Sequence, residues 1–343
     1  MNAWLQAVLW VLMILVVMLA NGSLIIYMLR KVLGAAHLRI GPQELGPAGI
    51  FQLIPDIIKL LTKEDRHPNN SDRWLYILAP IIIFLPVLVA FGFLPFGYRM
   101  VAADINMGIM MMIAFIALVP LGVFAAGWAS HNKYSLIGAI RSIAATITYE
   151  IPLLLSVIPV VIMAGSLNLS EIVLAQANSI WFVIPALPSA IIFLICAQME
   201  TNQAPFDMTE AEGELVAGFS TEYSAMRFGF IFLAEFAGNF VLAGLAVTLF
   251  LGGWTLPGVD PATMGILAPV VFVIKTYAVI FLFMMVRGNF SRFRIDRLAQ
   301  MGWKRMIPFT LVWTIVFAIG YRAFQLWQPS LGSLLTSVFG GGG

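Results

Sequence analysis

Eight long apolar runs leave this chain few ways to fold. They lie near residues 4–28, 74–95, 103–128, 140–165, 180–198, 224–251, 264–286 and 306–327, each close to the ~20 residues that cross a bilayer core. Hydrocarbon offers the backbone no hydrogen-bond partner, so segments of this length must be helices. The expected fold is all-α: a polytopic membrane helix bundle with about eight transmembrane helices, making one transmembrane domain over 1–330. The closing segment, 331–343, reads as a flexible tail. Composition agrees, with 61% hydrophobic and 10% charged residues, where an ordinary globular domain carries about 25% charged. The first run has no basic residue before Arg30 and is too long for a signal-peptide core, so it reads as a retained span. A net charge of +2 gives nucleic-acid binding no support. The single cysteine, Cys196, excludes a disulfide framework within the chain and a cysteine-ligated iron–sulfur cluster built by this chain alone.

Lysine and arginine set the expected orientation. Sixteen of the nineteen fall in the loops after spans 1, 3, 5 and 7, two (Arg99 and Arg322) lie on the other side, and Lys275 lies inside span 7. Both termini are therefore expected outside, with the long polar loops facing the cytoplasm or matrix.

The first inside loop opens with GPQELGPAG at 41–49. Its Gly-Pro pairs break regular structure, and Pro47 suits the first turn of a helix. The next residues, IFQLIPDIIKLLTKE, predict a two-faced helix too short to span. It would lie along the membrane surface. Periodicity leaves two readings open: an interfacial anchor, or a ceiling over a lateral opening where an apolar ligand meets Arg39, Asp56 or Lys59.

The second unusual segment is 200–222. It holds six carboxylates (Glu200, Asp207, Glu210, Glu212, Glu214 and Glu222) and no basic residue. Beside a lipid-embedded bundle, like charges should raise one another's pKa values and make protons shareable. Helix capping by Asp207 or Thr209 with Glu210 or Glu212 explains some of them, but not Glu200, Glu214 or Glu222. If 207–215 is helical, Asp207, Glu210 and Glu214 share a face. Three further charges lie within spans: Glu150, Glu235 and Lys275. Ionisable groups there cost about a few kcal/mol and mark a pathway by default. The bland alternative is a neutralising pair, such as Glu235 with Lys275. Glu222 and Glu235 stand 13 residues apart, roughly 20 Å along a helix, so waters or intervening groups must carry any proton between them. No phosphate-binding glycine loop, dinucleotide fingerprint, zinc-spaced His/Cys set or nucleophile elbow occurs, and redox chemistry would need partners.

These residues resemble one family closely. The signs are GP-x3-GP-x-G with the Gln52/Asp56/Lys59/Lys63-Glu64 helix, PFG at 95–97, SHNKYSLIGAIRS at 130–142 and TYEIPL at 148–153. ETNQAPFDMTEAEGELVAGFSTEYSAMRFG at 200–229, LGGW at 251–254 and RFRIDRLAQMGWK at 292–304 continue the series. Together they resemble the quinone-chamber membrane subunit of respiratory complex I, a family with bacterial and mitochondrial members. The chain departs from the family pattern at Leu29, His37, Ala145 and Gln203. Losing a cation at 203 should raise the carboxylate pKa values further.

The resemblance implies a subunit of a proton-translocating NADH- or ferredoxin-fed quinone oxidoreductase, with no complete active site on this chain alone and no metal. Quinone would be the substrate, with flavin and iron–sulfur clusters on partner subunits. The partners implied are a hydrophilic arm at the quinone site, small membrane subunits and antiporter-like subunits in an energy-transducing membrane, the bacterial inner membrane above all. Carried over position by position, Glu150, Glu200, Asp207, Glu210, Glu212, Glu214, Glu222 and Glu235 match the family's acidic channel, to which the mid-span Lys275 is added. Arg39, Asp56, Lys59, Arg141, Arg292, Arg294 and Asp296 match charged positions around the chamber and arm interface. Two other readings are an energy-converting hydrogenase subunit and a free-standing ion or solute carrier. The second predicts inverted repeats, and none is visible.

Overall fold

The structure, a computed structural model, describes residues 3–66, 68–177, 179–209, 212–261 and 263–339. The described residues are helical, with no strand. The helices are α1 (Ala3–Ala36), α2 (Leu53–Thr62), α3 (Arg73–Gly92), α4 (Gly108–Ile116) and α5 (Val119–Ala129). They continue with α6 (Lys133–Ala164), α7 (Leu169–Ala177), α8 (Leu187–Glu200), α9 (Glu212–Leu215), α10 (Ala225–Phe250), α11 (Leu267–Asn289), α12 (Ile295–Met301) and α13 (Ile307–Phe339). The backbone of α13 thus extends to Phe339, into the segment expected as a tail.

Seven stretches of the described helix are long and apolar enough to cross a membrane. The fifth expected span, 180–198, is helical only from Leu187, and 14 residues of helix reach about 21 Å, short of a bilayer core. Its first part is held otherwise. The buried Gln176 side chain accepts from Phe182 N and Gly252 N, and Val183 N donates to Phe250 O. The third span is two helices rather than one, because Pro120 sits in the first turn of α5 and cannot donate back to the preceding turn. Pro80, Pro86, Pro152 and Pro159, by contrast, lie inside α3 and α6, as prolines can in membrane helices whose neighbours re-satisfy the freed carbonyls.

At the centre is α10. Every residue from Asn239 to Phe250 is buried, as expected of a helix apolar all round. α1, α3, α8 and α11 pack directly on it. Outward faces of the peripheral helices stay apolar: Leu12, Val16, Val312 and Ile319 are all more than half exposed, which suits lipid rather than water. Two glycines permit the tightest crossings. A Cβ on Gly122 of α5 would lie 2.6 Å from Ile83 Cγ1 in α3, and one on Gly302 would overlap Thr148 Cγ2 in α6. Gly302 opens a turn of π-helix, Gly302–Met306, that joins α12 to α13 at this crossing.

The loops gather on two opposite faces. On one, Asp72 N meets Ala129 O, Arg66 N meets Ser224 Oγ, Asn132 meets Glu222, and Phe293 N meets Pro205 O. These contacts bring the four basic loops together. On the other, Asn168 Nδ2 donates to Asp104 Oδ1 and Ile109 N to Leu167 O. The charge asymmetry read along the sequence is thus an asymmetry between two ends of the bundle.

Candidate functional site

The acidic residues separate into a partly buried set among the helices of the bundle and a set paired with arginines at the loops. Glu200 ends α8, and Glu235 lies nearly three turns into α10. Both line one cavity between α3, α5, α8 and α10, whose other walls include Ile83, Val87, Val123, Asn202 and Leu242. The cavity has about 50 Å³ of water-sized space, and one water needs roughly 10–15 Å³ measured this way. Glu150 of α6 lies close enough to Glu200 to repel it electrostatically, and the buried Tyr149, whose hydroxyl meets Thr146 Oγ1 at 3.0 Å, lies beside Glu200 as well. Glu150 is thus a neighbour of Glu200, and Glu200 shares a cavity wall with Glu235.

Glu222 stands at the basic end. Its Oε1 accepts from Asn132 Nδ2 at 2.7 Å, while Asn132 Oδ1 caps α6 by accepting from Tyr134 N at 3.0 Å. One side chain thus both starts α6 and holds Glu222.

The remaining acidic-loop residues correct the expectation of an unneutralised run. Glu214 Oε2 accepts from Arg141 Nη1 at 2.6 Å, and Asp207 Oδ2 from Arg292 Nη2 at 3.1 Å. The cations missing from the segment arrive from α6 and from the α11–α12 loop. Arg294 and Asp296 join Arg141, Glu214 and Arg292 around a rim pocket of about 150 Å³. The hydrogen bond from Arg141, then its charge, holds the Glu214 carboxyl below its ordinary range, the reverse of the raised value expected from like charges. Among the described residues α-helix in this loop spans Glu212–Leu215 and Asp207 lies in non-helical backbone, so Asp207 and Glu214 do not share a helix face. Glu210 lies outside the described residues, and of Glu212 only the backbone is described.

A depressed pKa means that the Arg141–Glu214 tie is fully present above the ordinary carboxylate range and is lost as pH falls through the lowered value. Replacing Arg141 by Gln is expected to move the Glu214 titration upward, read from carboxyl infrared bands during acid titration. An unmoved titration would mean that Arg141 does not hold this group.

The two-faced helix α2 has no buried residue. Ile54, Ile57, Ile58 and Leu61 are each about half exposed. It is tied to α1 where Arg30 Nη1 meets Asp56 Oδ2 at 2.5 Å, and the turn before it is tied there by Tyr27, which donates to Ala48 O at 2.8 Å. It also leans on α10, where Leu60 faces Gly229. Asp56 is therefore tied to Arg30, while Arg39 and Lys59 are exposed. From sequence, Arg30 counts only as an orientation charge, since a partner 26 residues on leaves no local signal.

Lys275 lies apart from these groups. Its Nζ donates to the carbonyls of Leu251, Gly253 and Thr255 at 2.8, 3.1 and 2.7 Å and sits 4.6 Å from the Trp181 ring centre. An ammonium has three donors, and all three are used here, so the pairing with Glu235 weighed from sequence does not form. Leu251 lies 16 residues beyond Glu235, about 24 Å along α10.

Fold and site together define a polytopic helical membrane subunit with partly buried carboxylates in its bundle and a charged face at one end. The family model described as NADH dehydrogenase matches residues 9–318. The H subunit of the NADH-quinone oxidoreductase of Rhodospirillum centenum is 42% identical over 320 residues, covering 93% of this chain and 94% of that one. The corresponding NADH-quinone oxidoreductase protein of Geobacter metallireducens is 42% identical over 309 residues, 88% and 92% of the two chains. That of Dehalococcoides mccartyi is 40% identical over 316 residues, 92% and 87%. The chain belongs to the NADH dehydrogenase family of membrane subunits.

Proposed function

We propose that this chain is the membrane subunit of a proton-translocating NADH:quinone oxidoreductase, forming the quinone-access chamber and a carboxylate route for protons. The observation that carries the reading is the cavity shared by Glu200 and Glu235, with Glu150 beside it. Partly buried carboxylates that line one water-sized space can exchange protons through it. Quinone would reach the charged face beneath α2, from the membrane side, and meet the residues around Arg39, Asp56 and Lys59 or the rim of Arg141, Arg292, Arg294 and Asp296. Reducing it to quinol takes two electrons and two protons. The electrons come from partner subunits bearing flavin and iron–sulfur clusters. The resulting change of charge at the basic end would alter proton occupancy at Glu222 and then at Glu150, Glu200 and Glu235. In this reading both termini face outside, the basic loops meet a hydrophilic arm, and the membrane is the bacterial inner membrane.

Mild-detergent purification of the tagged chain tests the assembly. Co-purifying flavin- and iron–sulfur-bearing subunits that reduce quinone with NADH are expected. A solitary monomer that transports an ion would instead favour a carrier, and a nickel-bearing partner a hydrogenase.

A further inference from the structure

We propose that Arg227 is a positioning residue that ties the segment after α2 to Glu222, so that displacement of α2 displaces the Glu222 carboxylate. The inference rests on the reading above, in which an apolar substrate meets α2 and protons pass through the carboxylates.

The chain leaves α2 at Lys63 in extended conformation, and the next residues bind the start of α10. Asp65 Oδ2 forms an ion pair with Arg227 Nη2 across 3.1 Å, and Arg66 N donates to Ser224 Oγ at 3.4 Å. α2 itself rests on α10 through Leu60 against Gly229. Arg227 also lies over the Tyr76 ring, 5.2 Å from its centre. Tyr76 stacks on Tyr223, with centroids 4.3 Å apart and planes 7° from parallel. The Tyr76 hydroxyl donates to the Glu222 carbonyl at 2.7 Å, and the Tyr223 hydroxyl to the Tyr76 carbonyl at 3.2 Å. From Asp65 to Glu222 the path is therefore an ion pair, a cation–π contact and a short hydrogen bond.

Two features make this a movable tie rather than inert packing. Arg227 Nη1 is buried with no hydrogen-bond partner. A guanidinium loses stabilisation when a donor is buried unused, so Arg227 has a standing preference for an additional acceptor. In addition, Lys63, Glu64, Asp65 and Arg66 line an open polar groove of about 860 Å³ together with Glu222 and Ser224. The groove leaves room for these residues to shift while the Asp65 ion pair pulls on Arg227. Movement of α2 then changes the seat of Glu222, whose carboxylate otherwise rests on Asn132.

The test uses the intact complex in liposomes and measures protons translocated per quinone reduced, alongside KM for a short-chain quinone. Arg227→Gln and Asp65→Asn are each expected to lower the proton-to-quinone ratio by about twofold or more, within the range of mutations along coupling networks, with KM retained. A purely structural role would reduce the amount of complex, lowering turnover and pumping together at an unchanged ratio. That result overturns the proposal. Should Arg227→Gln prevent assembly, Asp65→Asn, on the partly exposed segment, carries the same two outcomes. Glu200→Gln, measured alongside, separates the failures. If it loses pumping while the Asp65 and Arg227 variants keep their ratio, only the tie is wrong; if all keep it, the carboxylate route fails as well.

Discussion

Replacing Glu200 by Gln is expected to suppress proton translocation by about a hundredfold, the lower end of what losing a positioned proton-transfer group costs. Glutamine keeps the shape and polarity of the side chain but cannot bind and release a proton. Its neighbours cannot replace it, because Glu150 does not line the cavity, Glu235 lines it from another helix, and the cavity has room for only a few waters. Electron flow from NADH to a water-soluble acceptor should persist, because in this reading the redox centres lie on partner subunits. The measurement is dye-reported acidification of liposomes holding the whole complex, set against NADH oxidation in the same sample. The surface residue Glu214 makes an internal control. It is over half exposed and paired with Arg141, so Glu214→Gln is expected to affect pumping less than Glu200→Gln. Equal loss in the two, or full pumping in Glu200→Gln, would remove the buried cavity from the route.

Lys275→Met is expected to destabilise the assembled complex by roughly 3 kcal/mol, since burying a backbone carbonyl without a partner costs about 1–3 kcal/mol and three carbonyls lose theirs. Some of the loss is offset because methionine removes a partly buried charge. The turn involved contains Gly252 and Gly253, both with positive φ, and Gln176 secures its other side through Gly252 N and Thr248 O. Without the ammonium, the end of α10 keeps Gln176 and the bond from Val183 N to Phe250 O, but the carbonyls of Leu251, Gly253 and Thr255 lose their shared donor. The expected outcome is a lower thermal-inactivation temperature and less intact complex, with an unchanged proton-to-quinone ratio in what survives. A normal inactivation temperature with a collapsed ratio would instead return Lys275 to the proton route suggested by its mid-span position.

The sequence on its own determined the membrane class, the helical fold, the concentration of basic residues in alternate loops, the two-faced helix α2 and the segment rich in carboxylates. Each of these is a local property: a run of apolar residues, a period, a cap or a cluster can be read within about 20 positions. The motif series that resembled the complex I family was legible for the same reason, as short strings in order. Tertiary structure alone decided which charges are shared and which are neutralised. Arg141 and Arg292 reach Glu214 and Asp207 from 73 and 85 residues away, so an acidic run that looks unpaired along the chain is paired in space. The same packing brought Glu150, Glu200 and Glu235 together from α6, α8 and α10, and sent Lys275 to the carbonyls of a turn rather than to Glu235. Hydrophobicity selects where a helix sits, but a buried charge takes whichever partner the packed neighbours bring within about 3 Å, and no periodicity along the chain encodes that distance.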